Sequence, residues 1–363
     1  MPITDGNIDD AAAGQNRPQQ QHFVTRAYLE GFTSQEDPQL YIYTRDKRAF
    51  FRALPNKVAR IRNYYSSKRP DGTYDDRVEH MLQTVIEDPG LHVLKRLVRG
   101  HYSITRDARW RLSALLAVQE YRVPWMRDQM EQFMTGMLQR FTKSMLEAPG
   151  VAEDALVKLG MADQLPMLAG MREAFANGNV EVTANPTASL HAMGYVFQPL
   201  LNAYFQMGWE VLETSSVPFV TSDCPVHRFY VPVRPDLPYE GLLDKRVQVR
   251  FPLSKSKMLV LRHDRKRIEL IEDLIRRNRH REAQKAIDRS GQIRHVRVGR
   301  RDVEQINAHT IAMAARHVFC SSESAAVAEQ FQGECLNMRQ VLTDYPDGVF
   351  EFKAHYPQHP ANA

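Results

Sequence analysis

From residue 105 to residue 206, apolar residues recur at three- and four-residue steps. Between 209 and 262 the pattern changes to short runs rich in β-branched and aromatic side chains. Helices first and strands later favour an α+β fold over an alternating, doubly wound sheet. The expected architecture is helix-dominated, with a small mixed or antiparallel sheet. Helices are predicted over 22–32, closed by Gly31, and over 74–87, 105–122, 152–176, 187–206, 266–290 and 302–316. Asp88-Pro89 reads as the cap and first turn of another helix, and Val123-Pro124 as a break before the next. That next helix carries Met126, Met130, Phe133, Met134, Met137 and Phe141 on helical spacing, which reads as plastic core. Strands are expected at 209–214, 217–221, 245–252, 257–262 and 317–321, with a hairpin turning at Thr44-Arg45-Asp46-Lys47.

At 363 residues the chain is long enough for a sizeable core. The reading is one α+β domain over 21–356, made of a helical part (74–206), a strand-rich part (209–262) and C-terminal helices with a strand (266–356). Residues 1–20 are polar, lack the basic start and apolar stretch of a secretory leader, and are expected to be disordered. No apolar run approaches the roughly 18 residues that span a bilayer. Cys224, Cys320 and Cys335 show no CxxC spacing, which speaks against a disulfide framework or a zinc knuckle. A cytoplasmic protein without a membrane segment is expected.

The net charge of +5 is unevenly spread. Residues 255–301 hold 16 Lys and Arg against 6 Asp and Glu, and residues 45–69 hold 9 against one. These blocks carry +10 and +8, leaving −13 on the remainder. Such a distribution suits a nucleic acid or another polyanion, and equally an Arg-rich solvated face.

Several polar residues stand where apolar ones belong. Leu112, Leu115 and Leu116 define an inward stripe whose next members are Gln119 and Arg122. A guanidinium there needs a carboxylate, a phosphate or a wet cleft, and an internal Arg–Glu clamp between helices would also serve. Glu79 lies at the edge of an inward stripe. Glu87 falls at a predicted helix C-terminus, where the dipole disfavours a carboxylate, so Arg122 or a metal ion could hold it. Asn307 lies on the apolar face of the last clear helix. Ser222 and Asp223 follow the strand-like VPFVT, where Asp223 could be a base, a metal ligand or a turn cap. His22 opens the first predicted helix. The Walker A, GxSxG, HExxH and GxGxxG signatures are all missing, so the common NTPase, hydrolase, zinc-protease and dinucleotide readings lose support.

An ordered set of short blocks runs along most of the chain: QHFVTRAYLEGF, LYIY, NYY, YDDRVEHMLQTVIE, QEYRVP, FVTSDCPV, FPLS and ARHVFCSS. Together they resemble a mainly bacterial family known as domain of unknown function 4238. The chain departs from that family's pattern at Thr25, where proline is usual, and at Cys224, where asparagine is usual. The resemblance implies the fold and brings no activity. It does group the polar members of the blocks: His22, Glu79, Glu87, Gln119, Arg122, Ser222, Asp223, Asn307 and Arg316.

If these converge in one cleft, two functions are expected. In one, the chain is an enzyme acting on a phosphate-containing or nucleic-acid substrate. His22, Glu79 and Asp223 would then serve as acid and base or hold a divalent cation, while Gln119, Arg122, Ser222, Asn307 and Arg316 bind the substrate. In the other, the same residues form a structural polar network in a non-catalytic module that binds nucleic acid, a ligand or a partner.

Overall fold

The computed structural model describes residues 20–331, apart from 46–49, 63, 66, 69–73, 76, 181, 184–185, 231–241, 243 and 288–290. The expected polar lead (except Gln20), the hairpin tip at Asp46-Lys47 and the segment 332–356 lie outside these residues.

Residues 112–120 of the helix Arg106–Tyr121 are all buried, so this helix is enclosed on every side. Thr105 caps it, its hydroxyl accepting from the Ala108 N–H at 3.1 Å. The helices Asp88–Val98 and Pro186–Gln206 pack against it. The first of these crosses closely, because a Cβ placed on Gly90 would lie 2.5 Å from the Cβ of Leu115.

Two sheets frame this helical centre. The larger runs in the order His227–Tyr230, Val247–Ser254, Lys257–Arg262, Gly208–Glu213, Arg294–Arg297, antiparallel except for the last pair. Alternation divides its faces. Val249, Phe251, Leu253, Leu259 and Leu261 join the main core, where Tyr28 stacks on Phe251 with ring centroids 5.0 Å apart. Met258, Val260 and Leu212 face the other way, onto Val303 and Ile306 of the helix Arg300–Met313. The smaller sheet, antiparallel throughout, has the order Phe50–Ala53, Leu40–Thr44, His317–Cys320, Thr221–Ser222. The fold is therefore α+β, helix-dominated, with several small antiparallel or mixed sheets. Among the described residues, no helix is long and apolar enough to cross a membrane.

Several elements differ from expectation. The helix expected over 152–176 is broken into Val151–Lys158, a 3-10 segment Ala162–Met167 and Leu168–Ala176. That over 266–290 is broken into Arg265–Arg276 and His280–Ile287, and Tyr74–Asp75 form a short strand ahead of the helix Arg77–Met81. Residues 20–22 form a strand paired with Arg60–Arg62, so His22 ends a strand, and the helix after it covers only Arg26–Leu29 before a 3-10 turn. Residues 217–220 belong to no sheet; Val220 gives its N–H to the Asn307 side chain instead. The helix does not restart at Asp88. Asp88 keeps helical backbone angles and donates its N–H to the Gln83 carbonyl, so a wide π-turn over Leu82–Glu87 carries one continuous helical stretch into Pro89. The wider turn makes room for a ring that would otherwise crowd the preceding carbonyls. Finally, the methionine-rich helix Pro124–Glu147 contains no buried residue, and Phe141 and Met137 are 63% and 54% exposed. Its periodicity reports an amphipathic helix on an outer layer, not core.

Glycine substitutions separate these layers. Gly90→Ala should lower stability by about 1–3 kcal/mol through overpacking against Leu115, despite alanine's better helix propensity. Gly136→Ala, with nothing within 4 Å of its added Cβ, should raise it by up to ~1 kcal/mol. Urea unfolding midpoints measure both, and effects of the same sign would contradict the close crossing.

Candidate functional site

The polar residues marked in the sequence fall into two groups. His22, Glu79, Glu87, Gln119 and Arg122 come together where the N-terminal segment lies over the helical stretch 77–98. Ser222, Asp223, Asn307 and Arg316 gather at the junction of the small sheet and the helix Arg300–Met313.

The first group is built around Arg122, which has no exposed surface and terminates the central helix. Its guanidinium donates to the Glu87 carboxylate, to the Gln119 side-chain carbonyl at 2.7 Å and to the Thr25 hydroxyl at 3.0 Å. Gln119 passes the connection on, its amide donating to the Phe23 carbonyl at 2.8 Å. Burial alone would lower the Arg122 pKa, but Glu87, with Tyr65 nearby, more than offsets this and holds it above the ordinary arginine value. The π-turn matters here. On an ideal helix each step of four residues rotates a side chain by about 40°. The wider turn winds Glu87 back, so Glu79, Gln83 and Glu87 all line the same wall.

That wall bounds a cavity of about 460 Å³, closed on the other side by His22, Thr25, Arg26 and Glu30. Tyr65 and Asp88 complete its polar rim. Four carboxylates therefore line it, Glu30, Glu79, Glu87 and Asp88, and the Arg26 guanidinium is engaged by Glu30 at 2.7 Å. Gln21, fully buried, ties the floor together: its carbonyl accepts from the Tyr65 N–H at 2.6 Å and its amide donates to Glu79. The His22 Nε2 is buried without a hydrogen-bond partner, and burial, then Arg60 and Arg122, lower the imidazole pKa below 6.5. Among the described residues, no three His, Cys, Asp or Glu side chains come together in a way that could hold a metal ion.

The second group is occupied by the backbone. Asp223 accepts N–H bonds from Ala315 at 2.9 Å, Arg316 at 2.7 Å and His317 at 3.0 Å. Asn307 clamps the segment 218–220, accepting from Val220 N–H at 3.1 Å and donating to the Pro218 carbonyl at 2.9 Å. Ser222 closes a local turn with both the N–H and the carbonyl of Cys224. The Arg316 side chain is exposed. None of these four lines the cavity.

The family model described as "Protein of unknown function (DUF4238)" matches residues 20–324. The chain belongs to the DUF4238 family. Comparison with curated proteins and with solved structures gives no match. The match starts at the strand that carries Gln21 and His22 and runs past Arg316, so both polar groups of this DUF4238 chain lie inside it.

Sequence reasoning missed Gln21, Thr25, Glu30, Gln83 and Asp88. Gln21 reaches Tyr65 and Glu79 across 44 and 58 residues, and no local pattern signals such a contact. Two further buried polar residues of the central helix escaped notice. Arg109 donates to the Phe205 and Met207 carbonyls, and Glu120 takes Tyr204 and Arg228.

The depressed His22 pKa sets a pH dependence. Its neutral form is favoured by folding, so that contribution is fully present above pH ~6.5 and is lost as pH falls through the lowered native value. The melting temperature should fall as pH drops below about 6.5, and less steeply in His22→Gln. His227 and His309, also depressed, are retained in both proteins, so the difference isolates His22. Superimposable profiles would contradict the assignment.

Proposed function

We propose that this protein is a binding module whose N-terminal cavity takes the ammonium or guanidinium group of a small ligand, with the Arg122 network as its fixed wall. The observation that carries this reading is the charge of the lining, four carboxylates against Arg26 and His22, with Glu87 matched by Arg122 behind the wall and Glu30 matched by Arg26. Arg26 is spent on Glu30, and the lowered pKa of His22 leaves its ring neutral at pH 7. A cation gains from such a lining, whereas a phosphate meets like charge. A volume of about 460 Å³ suits a small organic molecule.

The same geometry weighs against a hydrolase acting on phosphate. Arg122 would have to balance an anion, yet its bonds go to Glu87, Gln119 and Thr25. Asp223 would have to take a proton or a metal, yet three backbone N–H groups occupy its oxygens. A polyanion partner would use the basic block at 255–301, where the helices Arg265–Arg276 and His280–Ile287 pack on each other. There Arg276 and Arg277 lean on Asp273, and Arg279 leans on Glu282, so part of the excess charge is balanced in place.

Isothermal titration with agmatine, which carries both an amine and a guanidinium, tests the proposal against inorganic phosphate at equal ionic strength. Wild type should bind agmatine saturably, and Glu79→Gln, folded by thermal melt, should bind it at least about tenfold more weakly, ~1.4 kcal/mol. Agmatine binding unchanged by Glu79→Gln would sink the reading. So would metal-dependent cleavage of labelled RNA or DNA that disappears in a stably folded Asp223→Ala.

A further inference from the structure

The face of the large sheet turned away from the N-terminal segment carries a second polar cluster. Helix Arg300–Met313 covers part of this face with Val303 and Ile306, over Met258 and Val260. Further along the same strands the residues become cationic. Arg250 pairs across the ladder with His227, and Gln248 lies between Phe229 and Arg262. Side chains two apart on a strand share a face, so Arg250 and Gln248 point together, beside Phe229 and Arg262.

Arg250 is the residue that demands an explanation. It is partly buried, with its Cζ 3.8 Å from the Phe229 ring centroid. It donates to the Gln248 side-chain carbonyl at 3.3 Å, and its Nε is buried without a partner. Among the described residues no carboxylate pairs with it. The acid of this face, Glu210, is shared by Arg262 at 3.0 Å and Arg294 at 3.1 Å. His309 touches the same Phe229 ring edge-on, with centroids 4.6 Å apart, and its Nδ1 is also buried and unpartnered. His227 lies behind it at 5.2 Å. Placing a guanidinium in protein without a counter-charge is costly, so such a group is retained where an anion completes it. A guanidinium seated over an aromatic ring can still offer its N–H groups to a carboxylate or phosphate oxygen pair.

We propose that Arg250, with Arg262 and His309, forms a binding site for the oxyanion group of a small ligand, a phosphate or a carboxylate. Arg250 supplies the fork, Arg262 supplies charge from the exposed rim, and His309 supplies a ring nitrogen. The electrostatics agree with this geometry. Burial, then Arg262, lowers the Arg250 pKa to about 10, and burial, then Arg250, lowers that of His309 to about 4. Burial is the larger cause of both displacements and neighbouring positive charge the smaller, and an anion would offset both by pairing with the charged forms. The site is independent of the N-terminal cavity, lies on the opposite face of the sheet, and has the opposite charge preference.

The test is isothermal titration of the full chain with inorganic phosphate and, separately, with acetate, ionic strength being held constant with chloride. The histidine NMR signals are followed alongside. Saturable binding of phosphate identifies a phosphate group as the ligand chemistry, and saturable binding of acetate alone identifies a carboxylate. In either case Arg250→Gln should weaken binding at least tenfold, and the bound anion should raise the titration midpoint of His309. Should Arg250→Gln fail to fold, Arg262→Gln at the exposed rim takes its place, with weakened binding expected. No saturable binding of either anion overturns the proposal. So does binding that leaves His309 unmoved, or that survives substitution of the arginine tested.

Discussion

A guanidinium with no exposed surface must be surrounded by acceptors before the helix that carries it can be buried. Arg122 draws acceptors for its two terminal nitrogens from three separate stretches of chain, Glu87 from the helical stretch 77–98, Thr25 from the N-terminal segment and Gln119 from one turn earlier in its own helix, while its Nε is buried without a partner. Removing one partner of such a pair leaves an uncompensated buried charge, which costs about 3–5 kcal/mol. The network therefore does more than fill a polar gap in the core. It fixes where the first segment lies on the central helix, and in doing so it creates the cavity.

Other features follow from that placement. The Thr25 hydroxyl accepts from Arg122, and it makes no capping bond to the helix Arg26–Leu29 that follows. The short helix docks instead through tertiary contacts: Tyr28 stacks on Phe251, and the Gly31 carbonyl accepts from the Lys255 N–H at 3.0 Å. A Cβ on Gly31 would lie 3.3 Å from the Leu253 carbonyl oxygen, a tight approach that suits glycine. The π-turn belongs to the same arrangement, since it turns Glu87 toward Arg122 while passing the chain into Pro89.

Much of the helical part could be read from period alone. The helix expected at 105–122 agrees almost to the residue with Arg106–Tyr121, because Thr105 caps it and Pro124 follows it. The out-of-place Gln119 and Arg122 were visible for the same reason, as polar residues on an apolar stripe. Three things were not legible, each on physical grounds. Periodicity cannot distinguish a buried stripe from an outer amphipathic layer, so the spacing within Pro124–Glu147 reads as core although the helix has no buried residue. A π-turn leaves no mark at residue resolution beyond Pro89 itself. The roles of Ser222, Asp223 and Asn307 depend on partners 2 to 94 residues away, so one cluster was expected where the fold makes two.

The central claim is that Arg122 docks the N-terminal segment, and hydrogen–deuterium exchange of wild type and Arg122→Met tests it most directly. Measured where both proteins remain folded, the variant should lose amide protection across residues 20–32 and 60–65, while the strands Val247–Ser254 and Lys257–Arg262 keep theirs. Unchanged protection at the N-terminal segment, or an equal loss across the large sheet, would contradict the account.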